Sequence, residues 1–520
     1  MHLVLLVLFA FDDPRLVPTK ITPGPKTTVI TEPLLPGGYV DYITAINRMR
    51  SRGVTNDKNG ARLLLSLWDG DDFTPLENKI LKQELDFEFG STPCFHSIRK
   101  LLWQDPKLEE SEAVMVLQKL FLVSNAGFDA KPFTANSRDV LEKWLTDNRE
   151  AMAIAASAVR LPQWYAPVTP KRERPQVLFD VNLWRRELLN DVSVAFAARA
   201  SQRISKGDVS AALEDLDTLQ QILGKVDEDL ASMDDFYFVQ IANAAAYLEV
   251  QAAAATSNPK SLAIARLESL RRTPPPIPAD VVLDRPARWT SLNAAANALS
   301  YGEECVNVPW HVPTTPKRTL TDEVGVIFEN VGKSSIDQNE VMRMINEHYD
   351  ELVALHRRSP SKKAAKEIQG YRFNWGYTEL QPDELREIGD DLAKAASRRY
   401  GRCLFLWTLP GYETYSKAYS KVVGKRRLAM GAWALVAYRA EHQRWPEKLD
   451  ELDSIWAAPL RKDVFGEFRY RKNGDDVMLY SVWENLQDDG GKWEENQRRK
   501  RFNGKLIFPA DDVGFTLKGK

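Results

Sequence analysis

Two clusters of proline set the limits within which this chain can fold. Pro162, Pro167, Pro170 and Pro175 run together with Lys171, Arg172 and Arg174, and Thr273-Pro-Pro-Pro-Ile-Pro278 follows downstream. Proline has no N–H and clashes with the preceding helical turn, so neither cluster can sit inside a helix or a central strand. Between them, residues 176–272 are alanine-rich. Ala195–Ile204 and Ala211–Leu223 flank Gly207-Asp208, and Ala212, Leu216, Leu219 and Leu223 form a stripe at helical spacing. This reads as one hairpin of a tetratricopeptide-type repeat or, since no unit follows at a fixed period, as part of an antiparallel helical bundle.

The remaining regions follow from these boundaries. In 37–160, Tyr39, Ile43 and Ile46 share a face, and Ala61, Leu64, Leu65 and Trp68 recur at i, i+3, i+4 and i+7. Helical stretches continue around Ile98–Leu102, Glu110–Val123 and Ser137–Val159. A mixed, mostly helical region occupies 279–411, and a distinct unit occupies 426–520. The expected fold class is mainly α: helical bundle or irregular helical repeat regions, followed by a small C-terminal α+β domain.

Composition narrows function by exclusion. Apolar residues make up 44% and charged residues 27%, too apolar for a disordered chain. Seventy Lys and Arg stand against 72 acids, a net charge of −2, so no basic footprint marks a dedicated nucleic-acid binder. No run approaches the ~20 apolar residues of a membrane-spanning helix.

Residues 1–36 read as an apolar segment and a Pro-rich tether. Leu3 to Phe11 is unbroken and apolar, ends at Asp12, Asp13 and Pro14, and leads into Pro18–Pro36. Buried strand, degenerate signal and weak or truncated anchor compete here. The polar, Pro-rich stretch favours an anchor and tether.

Chemical motifs are sparse. GVIFENVGKS (Gly325–Ser334) has six residues between its glycines, against four in a phosphate loop. The six histidines form no HExxH, and His348 and His356 lie two helical turns apart. Cys94, Cys305 and Cys403 form no CxxC pair, and no GxSxG elbow or dinucleotide fingerprint occurs. The fourteen tryptophans are spread along the chain, as core residues are.

The tail is the most legible part. Leu428, Ala432, Leu435 and Val436 form a helical stripe running towards His442. Trp445-Pro446 ends it, and Leu449 and Leu452 suggest a short second helix with Pro446 at its first turn. Phe468-Arg-Tyr470, Asn473-Gly474 and Val477–Val482 read as a β-hairpin, with Leu506-Ile507-Phe508 as a third strand.

A helix carrying YRAEHQRWPEKLDEL, then KDVFGEFRYRKNGDDVMLYSV, then an acidic DDGG resembles the periplasmic domain of the major pseudopilin of type II secretion systems. The resemblance covers about Arg426 to Phe515. It implies a helix leading into a small antiparallel sheet, with a late acidic loop that binds calcium. The implied ligands are Asp488 and Asp489, beside Gly490-Gly491, and Asp511 and Asp512. The nearby run Arg498-Arg499-Lys500-Arg501 offers those acids neutralisation instead. No prepilin leader and membrane helix directly precede Arg426, which implies a borrowed module rather than a shaft subunit. Gly37–Trp68 and the Ala-rich middle are similar to large uncharacterised bacterial envelope proteins carrying the same tail.

The expected function is therefore a non-enzymatic structural or protein-interaction scaffold of the bacterial envelope. It would be membrane-tethered through the N-terminus or periplasmic, with protein partners, no nucleic acid, and calcium as the only cofactor. The alternative is a hydrolase acting on envelope polymers through paired carboxylates in a cleft of the helical region.

Overall fold

A computed structural model describes residues 20–68, 73–86, 89, 93–98, 135–170, 178, 184–227, 236–256, 259–273, 281, 283–301, 336–358, 391–408, 412–463, 465–483, 486–492, 500–502, 505–507 and 512–519. Within these, the chain is mainly helical with a small three-stranded antiparallel sheet at its C-terminal end. The helices are α1 (Tyr42–Ser51), α2 (Gly60–Leu65), α3 (Pro75–Leu85), α4 (Ala135–Asp147), α5 (Arg149–Arg160), α6 (Trp184–Ser205) and α7 (Val209–Asp227). After these come α8 (Phe236–Ala255), α9 (Pro259–Arg272), α10 (Arg288–Tyr301), α11 (Gln338–Arg358), α12 (Leu392–Thr408) and α13 (Tyr412–His442). The strands are β1 (Arg469–Asn473), β2 (Asp476–Ser481), β3 (Lys500–Phe502), β4 (Lys505–Ile507) and β5 (Val513–Leu517).

Local chemistry sets several boundaries. Asp41 caps α1 by accepting from the Thr44 N–H. Thr74 and Glu77 form a capping box around Pro75 at the start of α3. Gly207, at a φ of +80°, makes the sharp turn between α6 and α7. Across that turn Arg199 and Arg203 of α6 clamp the buried Asp215 of α7 at 2.6 and 2.9 Å.

Three cores hold the chain together, and they do not follow sequence order. In the first, Tyr42, Ile43 and Ile46 of α1 pack with Leu292 and Ala295 of α10, Ile345 and Tyr349 of α11, and Leu404 and Phe405 of α12. A second gathers α2, α3, α4, α5 and the first half of α6, and includes the fully buried Trp144. The third joins the end of α6, α7, α8 and α9 to α13 and the C-terminal sheet.

The stretch expected as a tether belongs to the folded body from Lys20 onward. The Lys20 and Thr22 N–H groups donate to Gln338 and Asn339 at the start of α11, and the Asn346 side chain donates to Thr27 O. Residues 1–19, with the apolar run, lie outside the described residues. Among the described residues, no helix is long and apolar enough to cross a membrane.

The tail departs from expectation at two points. The third strand of the sheet is β5, paired antiparallel to β2 with Leu479 opposite Phe515. Leu506 and Ile507, expected in that place, lie in β4, which pairs with β3 in a separate ribbon. Val513, Phe515 and Leu517 alternate inward, the period of a half-buried strand. The expected short second helix is a single 3₁₀ turn, Leu449–Leu452.

Candidate functional site

Helix α13 positions everything around the C-terminal acids. Every residue from Leu428 to Tyr438 is buried, so the middle of α13 has no solvent face. One side meets the sheet: a β-carbon on Gly424 would touch Asp463 and Trp483, and Tyr438 donates to Glu451. The opposite side meets α8 and α9. There Arg426 donates to the carbonyls of Leu270 and Thr273 and Trp433 Nε1 donates to Glu249 at 2.9 Å; at the helix end Glu441 pairs with Lys260 at 3.1 Å.

β1 and β2 are joined by the two-residue turn Gly474-Asp475, which sets Arg469 opposite Tyr480 and Arg471 opposite Met478. The loop leaving β2 brings Asp488 back to this hairpin. Asp488 Oδ1 accepts from Tyr480 Oη at 2.8 Å, Arg471 Nη2 at 3.0 Å and the Gly490 N–H at 3.0 Å. The Arg471 guanidinium also lies over the Tyr480 ring, 5.4 Å from its centroid. Partial burial works against ionisation of Asp488, but the Tyr480 hydroxyl, the Gly490 N–H and Arg471 prevail and hold its carboxyl below the usual range.

Asp512, one residue before β5, is in the opposite state. It is 1% exposed, and its Oδ2 accepts from the Gly491 N–H at 2.8 Å. Its Oδ1 is buried with no hydrogen-bond partner. Burial, and then the charges of Asp489 and Asp488, push its carboxyl up to about 6 against the pull of the Gly491 N–H. Three of the four implied calcium ligands therefore meet at one corner of the sheet. Asp511 lies outside the described residues.

The donors fit a calcium ion in part. A bare, buried carboxylate oxygen flanked by two further carboxylates is the right material, since calcium takes six to eight hard oxygens. Asp488, however, is engaged by Arg471. Among the described residues no group of three or more acidic, histidine or cysteine side chains is arranged to hold a metal ion. Neutralisation of Asp488 comes from Arg471 at 3.0 Å and Arg469 at 4.0 Å, on β1. The run Arg498–Arg501 falls on residues whose side chains are not described.

Sequence reasoning missed Arg469, Arg471 and Tyr480. The signal was present, because residues two apart on a strand share a face, which puts Arg469 and Arg471 together beside the hairpin partner Tyr480. It also missed Asp463. Burial raises this carboxyl against the Ser481 hydroxyl at 2.6 Å and the Phe465 and Gly466 N–H groups.

Elsewhere the buried ionisable groups, histidines and cysteines take structural places. Asp215, raised by burial against Arg199 and Arg203, is held between two arginines. His348 is buried and stacks on Phe405 with ring centroids 5.0 Å apart. Cys403 is buried and Cys94 half-buried. Gly325–Ser334 and Cys305 lie outside the described residues. Comparison with protein-family models, curated proteins and solved structures gives no match.

Proposed function

We propose that the protein is a non-enzymatic structural or protein-interaction scaffold of the bacterial envelope, with a tail built like the periplasmic domain of a major pseudopilin. Element order supports the likeness: a long helix, two 3₁₀ turns, the β1–β2 hairpin, a long connection that carries Asp488-Asp489 and the β3–β4 ribbon, and a strand returning beside β2. The observation that carries the scaffold reading is how the buried charges are used. Arg199 and Arg203 with Asp215, and Arg266 with Glu249, each tie one helix to its neighbour. In the tail, an exposed pair, Arg471 with Asp488, links the hairpin to its loop in the same manner. Such groups rigidify a platform.

The surface offered to protein partners is the outer edge of β1, an edge strand of the sheet with Arg469, Arg471, Lys472 and Asn473 exposed. A partner strand adding there gains backbone hydrogen bonds, beside basic side chains that already pair with Asp488 and Glu447. Calcium at the corner of Asp488, Asp489 and Asp512 would fix the loop beside that sheet.

The test is a photo-crosslinking residue in place of Arg469 in the full-length chain, followed by cell fractionation. Discrete protein adducts in the envelope fraction support the reading. Recovery of the whole product in the soluble cytoplasm without adducts overturns it.

A further inference from the structure

The sequence contains three Asn-Gly pairs, Asn59-Gly60, Asn473-Gly474 and Asn503-Gly504. The last lies outside the described residues. This dipeptide has a chemistry of its own. The backbone nitrogen of the following residue can attack the asparagine side-chain amide, and glycine, with no β-carbon, leaves that nitrogen least hindered. The fold puts the first two pairs in opposite circumstances.

Asn59 is 1% exposed and fully engaged. Its Nδ2 donates to Tyr165 O at 2.7 Å, and its Oδ1 accepts from the N–H groups of Tyr165 at 2.9 Å and Ala61 at 3.2 Å. The Gly60 N–H, which would supply the attacking nitrogen, donates to Gln163 O at 2.9 Å. A β-carbon on Gly60 would lie 2.1 Å from Ala158 O, so the backbone is tightly packed there as well.

Asn473 and Gly474 are both exposed, at the tip of the β1–β2 hairpin. Gly474, at a φ of +60°, opens the two-residue turn, and a β-carbon on it would meet nothing within 4 Å. Among the described residues neither the Asn473 side chain nor the Gly474 N–H has a hydrogen-bond partner. Ring closure requires Asn473 to rotate out of its extended conformation. What resists this is the last rung of the ladder, Asn473 opposite Asp476, where a hairpin frays first.

We propose that Asn473 is a self-modifying site whose co-reactant is water. The Gly474 nitrogen, losing its proton to solvent, bonds to Asn473 Cγ, and the side-chain nitrogen leaves as ammonia. Water then opens the resulting cyclic imide at one carbonyl or the other. The products are aspartate, or isoaspartate with the main chain rerouted through Cβ and Cγ, and nothing is oxidised or reduced. Either product places a carboxylate beside Asp475 and Asp476 at the end of the edge strand. The isoaspartyl form also lengthens the backbone by one carbon where the turn begins. The chemistry depends neither on the scaffold reading nor on calcium.

Peptide mapping by mass spectrometry tests it, on the full-length wild-type chain held folded at mildly alkaline pH and sampled over weeks. The Asn473 peptide should gain the mass of an amide-to-acid exchange and split into aspartyl and isoaspartyl forms. It should do so at least about tenfold faster than the Asn59 peptide, which reacts only through opening of a buried site. In denaturant the two rates should converge, since each pair follows a lysine and only the fold distinguishes them. Equal rates in the folded chain, an unchanged Asn473 peptide, or a contrast that persists in denaturant would each overturn the proposal.

Discussion

Gly431 of α13 faces Leu479 of β2 so closely that a β-carbon built on it would lie 2.5 Å from Leu479 Cδ2 and 2.8 Å from the Trp456 ring. The sheet rests on the helix because this position carries no side chain. Gly431→Ala gains about 1 kcal/mol of helix propensity but forces the sheet or Trp456 to move, an overpacking cost of about 1–3 kcal/mol. The expected outcome is a net loss of stability, by up to about 2 kcal/mol, measured as a lower denaturant midpoint. A stability gain would show that the sheet does not rest there.

Lys425 gives a pH dependence with a definite sign. It is 6% exposed, and burial, with a smaller push from Lys421, lowers its pKa to about 7 from 10.5. Between those values the unfolded chain binds more protons than the folded one, so stability rises with pH from about 7 to about 10. Below about 7 both states are protonated and this group adds no further slope. Lys425→Met should raise stability at neutral pH and remove that slope. Unfolding midpoints of the two proteins, measured from pH 6 to 10, check it, and parallel profiles would count against a depressed lysine.

What was readable in the sequence was what depends on near neighbours. The Gly207-Asp208 break and the Ala212–Leu223 stripe are one local pattern, and α6 and α7 follow it. The β1–β2 hairpin is equally local, although its turn is Gly474-Asp475. The pairing misses are long-range. Nothing near Lys20 announces Gln338, and nothing near β2 announces that Val513–Leu517 rather than Leu506–Phe508 will pair with it. For α13 a local sign was available: Leu428 to Tyr438 has no charged residue at all, the mark of a helix buried on every side rather than on one stripe. Among the candidate ligands, Asp488 and Asp512 were legible as acids. Their opposite states were not, because each is set by the burial and donors that the folded loop supplies.

The Arg266–Glu249 pair predicts a strongly non-additive cycle. Burial opposes the charge on Arg266, yet Glu249 and Asp217 hold it protonated. Arg266→Met leaves the carboxylate of Glu249, 0% exposed, without its counter-ion, at a cost of about 3–5 kcal/mol. Adding Glu249→Met removes the stranded charge and leaves chiefly the Trp433 N–H without its acceptor, about 1–3 kcal/mol. The double variant should thus be more stable than Arg266→Met alone in chemical denaturation. Additive losses would show that the pair is solvated.

Calcium separates two accounts of the C-terminal acids by opposite signs in one variant. Without a cation, Asp512 is a buried carboxylate with a bare Oδ1 beside the charges of Asp488 and Asp489, and its raised pKa expresses that cost. Asp512→Asn removes the charge and should stabilise the calcium-free protein. If calcium binds, wild type gains stability from it by mass action, and a tenfold excess over the dissociation constant is worth about 1.4 kcal/mol, a few degrees in melting temperature. Asp512→Asn should forgo that gain, so the two melting curves cross in order between chelator and millimolar calcium. Arg471→Gln supplies the second arm. By freeing Asp488 from its guanidinium it should strengthen the calcium response if Asp488 is a ligand, and leave it unaltered if Asp488 only closes the loop onto the hairpin. A wild-type melting temperature indifferent to millimolar calcium would reduce the corner to a loop held by Arg471, Tyr480 and the Gly491 N–H.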